Sequence, residues 1–204
     1  MQRTAKRQRA AERICAVARD LFYLRGIRAV SVDDIVTEAG ITKPTLYRTF
    51  ASKDALVAAC LEENATEDRA ALTRIAALLS PPDAQLLAIV GHYAAKAASP
   101  DFRGCALSNT AIELHQPAHP GHIVLEGSKR EMRALITRIA RQLTSKDPGA
   151  LADGLILLIE GTMASHQIFG DQGPSTALTV SARALIDSYR PAGHADRQSK
   201  VRCQ

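Results

Sequence analysis

Aromatic residues make up only 4% of this 204-residue chain, and tryptophan is absent. The four cysteines (Cys15, Cys60, Cys105 and Cys203) are widely spaced with no CxxC pair, which argues against a zinc ribbon or a disulfide framework and fits a reducing cytoplasm. Long charge-free apolar runs are missing too. The greasiest stretch, Leu151 to Phe169, contains Asp153, Glu160 and His166, so it reads as a buried helix rather than a membrane span, and no membrane partner is expected. The opening "MQRTAKRQRAAER" is basic and has no apolar core, so no secretory signal is expected. No glycine-rich phosphate loop, serine elbow or HExxH occurs, which disfavours an enzyme; no cofactor is expected.

What the chain does have is 46% apolar residues, rich in Ala and Leu, enough in one domain or two small ones to bury a core. Its charge is unevenly placed. Residues 1–53 carry eleven Lys/Arg against five Asp/Glu, residues 54–189 carry eleven against fifteen, and residues 190–204 carry four against one. A basic head on a mildly acidic remainder is the pattern of a polyanion-binding module joined to something else. A ligand-free architectural DNA binder would not need so long an acidic helical body.

Helical spacing runs almost throughout and predicts an all-α fold of about nine helices. Ile14, Val17, Ala18, Leu21 and Phe22 stripe a first helix over about Arg9–Leu24, which Gly26 ends. Ser31 is a good N-cap for "VDDIVTEA", with Asp33 and Asp34 in its first turn. Gly40 breaks that helix; Thr42 is expected to cap the next, with Pro44 in its first turn. Helix, glycine turn, helix is the helix-turn-helix pattern. Further helices are expected from "SKDAL" to about Leu79, over Asp83–Ala98, Gly104–His115, from Met132 to near Lys146, and over Pro148–Phe169 and Ser175–Tyr189, with a frayed basic tail after Pro191.

The second helix of that motif, "ITKPTLYRTF", has only Leu46 and Phe50 as good core residues. They lie on one side of the wheel, and Pro44, Thr45, Arg48 and Thr49 on the other, with Lys43 and Tyr47 flanking. Arginine can read guanine bidentately, threonine a base edge or thymine methyl, and tyrosine and lysine suit phosphates. Lys53 opens the following helix, whose free N–H groups also attract phosphate.

The stretch "SVDDIVTEAGITKPTLYRTFASKDAL" resembles the N-terminal domain of tetracycline-repressor (TetR) family regulators. The resemblance implies phosphate contacts at Ser31, Thr45, Tyr47 and Lys53, and base-edge contacts at Lys43, Pro44, Arg48 and Thr49. It implies a DNA-binding domain over 1–53, an effector-binding and dimerisation domain over 54–190, and a basic tail over 191–204. It also implies a homodimer that represses by binding a palindromic operator and is released by a small-molecule effector, although activation stays open. Family dimers pair through the last two long helices, here with Leu155, Ile159, Leu185 and Ile186 as the expected contacts.

Effector chemistry has several candidates. Cys105 begins a short helix beside Arg103, with Asn109 and Glu113 downstream, and "FRGCALSNTAIE" resembles a segment of family members that sense electrophiles and small acids. Two readings stand: a reactive thiol, favoured by the helix N-terminus and a nearby cation, or a small packing cysteine. His92, Tyr93, Glu160 and His166 are polar or titratable residues within apolar helices, where they must be hydrogen-bonded, line a polar pocket or face the dimer partner. His115, His119 and His122 are expected to be solvated loop histidines, because Pro117 and Pro120 break helical ligand spacing, so no metal is expected.

Overall fold

The computed structural model describes residues 2–78 and 81–190; the basic tail expected over 191–204 lies outside the described residues. Among them there are nine α-helices and no strand: α1 (Gln2–Arg25), α2 (Val32–Glu38), α3 (Lys43–Thr49), α4 (Lys53–Leu78), α5 (Pro82–Ala97), α6 (Ala106–Glu113), α7 (Pro120–Leu143), α8 (Pro148–Phe169) and α9 (Leu178–Ser188). Two short 3-10 turns, Gly170–Gln172 and Pro174–Ala177, precede α9. The chain is all-α, as its periodicity requires. α7 begins at Pro120, well before Met132, because proline is tolerated in a first helical turn. The start of α9 is deferred to Leu178 because Pro174–Ala177 winds as a 3-10 turn.

The chain divides into two compact units. The first comprises residues 1–70 and 103–130; the second comprises 71–102 and 131–204. This partition differs from a boundary at residue 53. α4 continues without interruption past it, and α6 shares the core of the helix-turn-helix. In the first unit Ile14, Ala18, Val30, Ile35, Leu46, Leu56 and Val57 pack in one buried cluster with Leu107 of α6 and Leu125 of α7. In the second unit α5, α8 and α9 pack on one another around Leu86, Ile89, Leu155, Ile159 and Ile186.

Local chemistry sets the helix ends around the motif. Gly26 (φ +85°) ends α1 in a left-handed conformation, and its N–H reaches the carbonyl of Phe22 at 2.9 Å. Ser31 and Asp34 form a reciprocal capping box. The Ser31 hydroxyl accepts the Asp34 N–H at 3.1 Å, and the Asp34 carboxylate accepts the Ser31 N–H at 2.8 Å. Gly40 (φ +59°) turns the chain from α2 to α3. Thr42 caps α3 through its backbone, whose carbonyl accepts the N–H groups of Thr45 and Leu46. Its hydroxyl departs from the expected cap and pairs with the Thr45 hydroxyl at 3.0 Å.

Candidate nucleic-acid interface

α3 is anchored by one residue. Leu46 is 0% exposed, and full burial of such a side chain stabilises by roughly 1.5–3 kcal/mol. That anchor leaves Lys43, Pro44, Tyr47 and Arg48 exposed, with Thr45 and Thr49 half-buried. The exposed face can therefore offer a guanidinium, an ammonium, a phenol and a flat proline ring to one partner surface.

Several of these groups are held within the protein. The Thr49 hydroxyl donates to the Thr45 carbonyl at 3.0 Å, and Arg48 reaches the Thr45 hydroxyl at 3.4 Å. Both contacts orient side chains along α3. Lys43 lies 2.8 Å from an Asp33 carboxylate oxygen, and the hydrogen bond to Asp33 holds its pKa above the ordinary lysine value. Ser31 is exposed, but its hydroxyl is shared with Asp34 at 2.6 Å. The Ser31 hydroxyl and N–H, helped by Arg25, hold the Asp34 carboxyl below the usual carboxylate range. Lys53 turns inward and donates to the carbonyl oxygen of Ile27 at 2.6 Å, with its ammonium 6.0 Å from the Phe22 ring centre. The eight expected DNA-contacting residues all belong to the first unit, and Lys53 already has an internal partner.

The expected effector residues are distributed over both units. His92, Tyr93, Glu160 and His166 belong to the second unit, whereas Cys105 and Asn109 belong to the first. His92 stands edge-on to Tyr93 at 5.2 Å, and the buried Tyr93 hydroxyl lies 3.6 Å from the Met132 sulfur. His166 stands edge-on to Phe102 at 5.4 Å, with Nε2 3.8 Å from Asp171; Glu160 is half-buried. Cys105 occupies the N-cap position of α6, and the Lys129 ammonium lies 3.7 Å from its sulfur. The Asn109 amide donates to the Arg103 carbonyl at 2.8 Å.

His115 is an exposed loop residue, whereas His119 and His122 are partly buried. The His119 side chain is 10% exposed, its Nδ1 accepts the Gly121 N–H at 3.0 Å, and its Nε2 lies 3.4 Å from Asp54. It acts as the cap of α7, an arrangement that requires tertiary cover from α4. His122 lies on α7 with its Nδ1 buried and unpartnered. No group of three His, Cys, Asp or Glu among the described residues is placed to hold a metal ion.

The expected dimer contacts are mostly spent inside the chain. Leu155 and Ile159 are each 1% exposed and Ile186 is 0% exposed. Leu185 is half-buried and packs on Gly154, where an added Cβ would stand 2.9 Å from Cδ2. The outward apolar side chains of the same helices are Leu157, Ile168 and Phe169 on α8 and Val180 on α9. α8 is apolar on nearly every side, so the spacing of its residues could not say which face turns inward.

Sequence reasoning also missed a set of residues that tie α6 to the helix-turn-helix. The Tyr23 hydroxyl accepts the Arg103 N–H at 2.6 Å and donates to the Gly104 carbonyl at 3.1 Å. Glu113, at the far end of α6, accepts the Arg28 N–H at 3.1 Å. The only signal in the sequence was Gly26, whose missing Cβ leaves room for that carboxylate.

Residues 14–60 match the sequence profile of the bacterial regulatory proteins of the tetR family. A protein of Mycobacterium tuberculosis described as a mycofactocin biosynthesis transcriptional regulator, MftR, is 45% identical over 51 residues, 25% of this chain; the match spans 26% of that relative's length. The TetR-family transcriptional regulator SCO4454 of Streptomyces coelicolor superposes with a TM-score of 0.80 and 29% identity, covering 88% of this chain and 93% of that one. A protein of Streptomyces avermitilis (sav143), described as a regulator of the same type, superposes with a TM-score of 0.75 and 29% identity, over 88% and 97%. None of the helices, among the described residues, is long and apolar enough to cross a membrane.

Proposed function

As the chain belongs to the tetR family of bacterial transcriptional regulators, we propose that it is a repressor: a homodimer on a palindromic operator, released by a small-molecule effector. One observation carries the DNA-reading part. α3 is held from behind by Leu46 and presents Lys43, Pro44, Tyr47 and Arg48 outward. In this reading Lys43, Pro44, Arg48 and Thr49 meet base edges, and Ser31, Thr45, Tyr47 and Lys53 meet phosphates. DNA binding falls to residues 1–53, and effector binding and dimerisation to residues within 54–190. Its work on DNA places the protein in the cytoplasm. Repression follows if the operator overlaps a promoter; activation from the same site is distinguished by a transcription assay with purified polymerase.

A two-fold dimer matches the symmetry of two half-sites and lets two α3 helices enter successive major grooves. The exposed Leu157, Ile168, Phe169 and Val180 supply an apolar surface for pairing α8 and α9 with a second copy. A second reading makes Cys105 a thiol sensor, favoured by the Lys129 ammonium beside its sulfur. It requires oxidant or N-ethylmaleimide to release DNA from the wild type and not from Cys105→Ser.

The test of the main reading is selection of duplexes from a random pool, followed by fluorescence anisotropy on the winning palindrome and a scrambled control. Arg48→Ala is expected to cost roughly 1–3 kcal/mol on the palindrome and much less on the scramble. Equal losses on both duplexes would remove Arg48 from base reading.

A further inference from the structure

Within the first unit, α1, the first part of α4 and α6 enclose a cleft of about 70 Å³. Phe22, Val57 and Leu61 make its apolar wall, and Tyr23, Asn64 and Glu113 are among its polar groups. A volume of this size admits roughly two to five water-sized groups, so it suits the head and first carbons of a small molecule. Two of its polar groups have unused capacity among the described residues. The Asn64 amide makes no hydrogen bond, and Glu113 uses Oε2 for the Arg28 N–H while Oε1 accepts none.

The charged residues that line the cleft are one cation, Arg19, and one carboxylate, Glu113. Arg19 at its edge is hydrogen-bonded to Glu67 at 2.9 Å, and Glu67, with Glu63 and Asp20, raises its pKa. Lys53 is committed to the Ile27 carbonyl. With Arg19 committed to Glu67, the free acceptors Glu113 Oε1 and the Asn64 carbonyl are open to N–H donors.

We propose that this cleft binds a small organic cation, a primary ammonium on a short apolar body. The ammonium donates to Glu113 and Asn64, and the alkyl part lies on Val57 and Leu61. Occupancy reaches the helix-turn-helix through Glu113. Oε2 of that carboxylate holds the backbone between α1 and α2, where Gly26 (φ +85°) leaves the space that a Cβ 3.2 Å from Oε2 would take. An ammonium bound at Oε1 draws the carboxylate toward Asn64 and away from the Arg28 N–H, loosens the α1–α2 turn and lowers operator affinity. Only this last step rests on the regulator reading, and it requires the ligand to bind the DNA-free conformation more tightly.

The test uses the full-length protein without DNA and n-butylammonium as the probe, with n-butanol and butyrate as controls. Binding is followed by the backbone amide NMR signals. Saturable shifts at Arg28 and Glu113 with butylammonium, and at least tenfold weaker binding of both controls, are expected. Glu113→Gln is expected to weaken butylammonium binding at least tenfold, and Glu126→Gln, on the exposed face of α7, to leave it unchanged. Asn64→Leu covers the case of a poorly folded Glu113 variant, because it occupies the cleft without touching the Arg28 contact; it too must lose the probe. Equal binding of butyrate, or undiminished binding by either cleft variant, overturns the site. With the selected duplex added, release by butylammonium in the wild type supports the coupling, and binding without release overturns it. Failure of the wild type to bind any selected duplex overturns the regulator reading and leaves the DNA-free titration standing.

Discussion

The ammonium of Lys53, the first residue of α4, donates to the carbonyl oxygen of Ile27 across 2.6 Å, joining α4 to the turn that leads into α2. A lysine at that position reads from sequence as a phosphate contact. Here it also fixes the turn from which the helix-turn-helix departs. A hydrogen bond with one charged partner contributes about 1.5–3 kcal/mol when well shielded, and this one is part-buried. Lys53→Ala should therefore lower unfolding stability by about 1–2 kcal/mol in urea and weaken all duplexes alike. Unchanged stability in the alanine variant would mean that the Ile27 contact is incidental.

The Lys43 ammonium is paired with Asp33, 2.8 Å away on α2, which restrains its reach toward any other acceptor. Both side chains are more than half exposed, so the pair itself adds little stability. Asp33→Asn should leave the melting temperature nearly unchanged and strengthen binding to specific and scrambled duplexes together. The added charge should also steepen the salt dependence of binding by up to about one phosphate contact. An unchanged salt slope would show that Asp33 does not restrain Lys43.

The capping box gives the first unit a predictable acid sensitivity. The hydrogen bonds from Ser31, with Arg25 behind them, place the Asp34 pKa in the folded protein below its unfolded value. A lowered folded pKa contributes stability that is present above the unfolded pKa, about 4, and is lost as pH falls through the folded one. Thermal unfolding of wild type and Asp34→Ala should differ at pH 6 and converge as pH drops below about 4. A constant difference across that window would assign the effect of the substitution to helix propensity instead of the ionised cap.

On α8, Leu155 and Leu157 are two residues apart and have opposite fates, 1% and 73% exposed. Leu155→Ala should open a cavity and cost about 2–5 kcal/mol of unfolding free energy without changing the oligomeric state of the folded protein. Leu157→Glu should leave monomer stability almost intact and yield monomers by light scattering, with loss of operator binding. A Leu157→Glu variant that remains dimeric would move the interface away from this face.

Much of the fold was legible because helix-forming sequences carry their own periodicity. The stripe from Ile14 to Phe22, the glycines at 26 and 40, and the Ser31–Asp34 pair each act within a few residues. Local backbone preferences and side-chain spacing therefore suffice to place α1, α2 and α3, and to show that Leu46 turns inward and Arg48 outward. The division between α7 and its preceding loop was not legible, because His119 serves as a cap only when α4 covers it.

Sequence alone thus determined the all-α architecture, the helix-turn-helix and the chemistry of its exposed face, since each follows from patterns repeating over one to three turns. Tertiary structure alone decided where long side chains end. Lysine and glutamate reach several ångströms in many directions, so the commitment of Lys53 to Ile27 and of Glu113 to Arg28 depends on which helix arrives beside them. It also decided which side of α8 is core. A helix apolar on nearly all faces has no preferred rotation until α5 and α9 pack on it, and that packing buries Leu155 and Ile159 while leaving Leu157 outside.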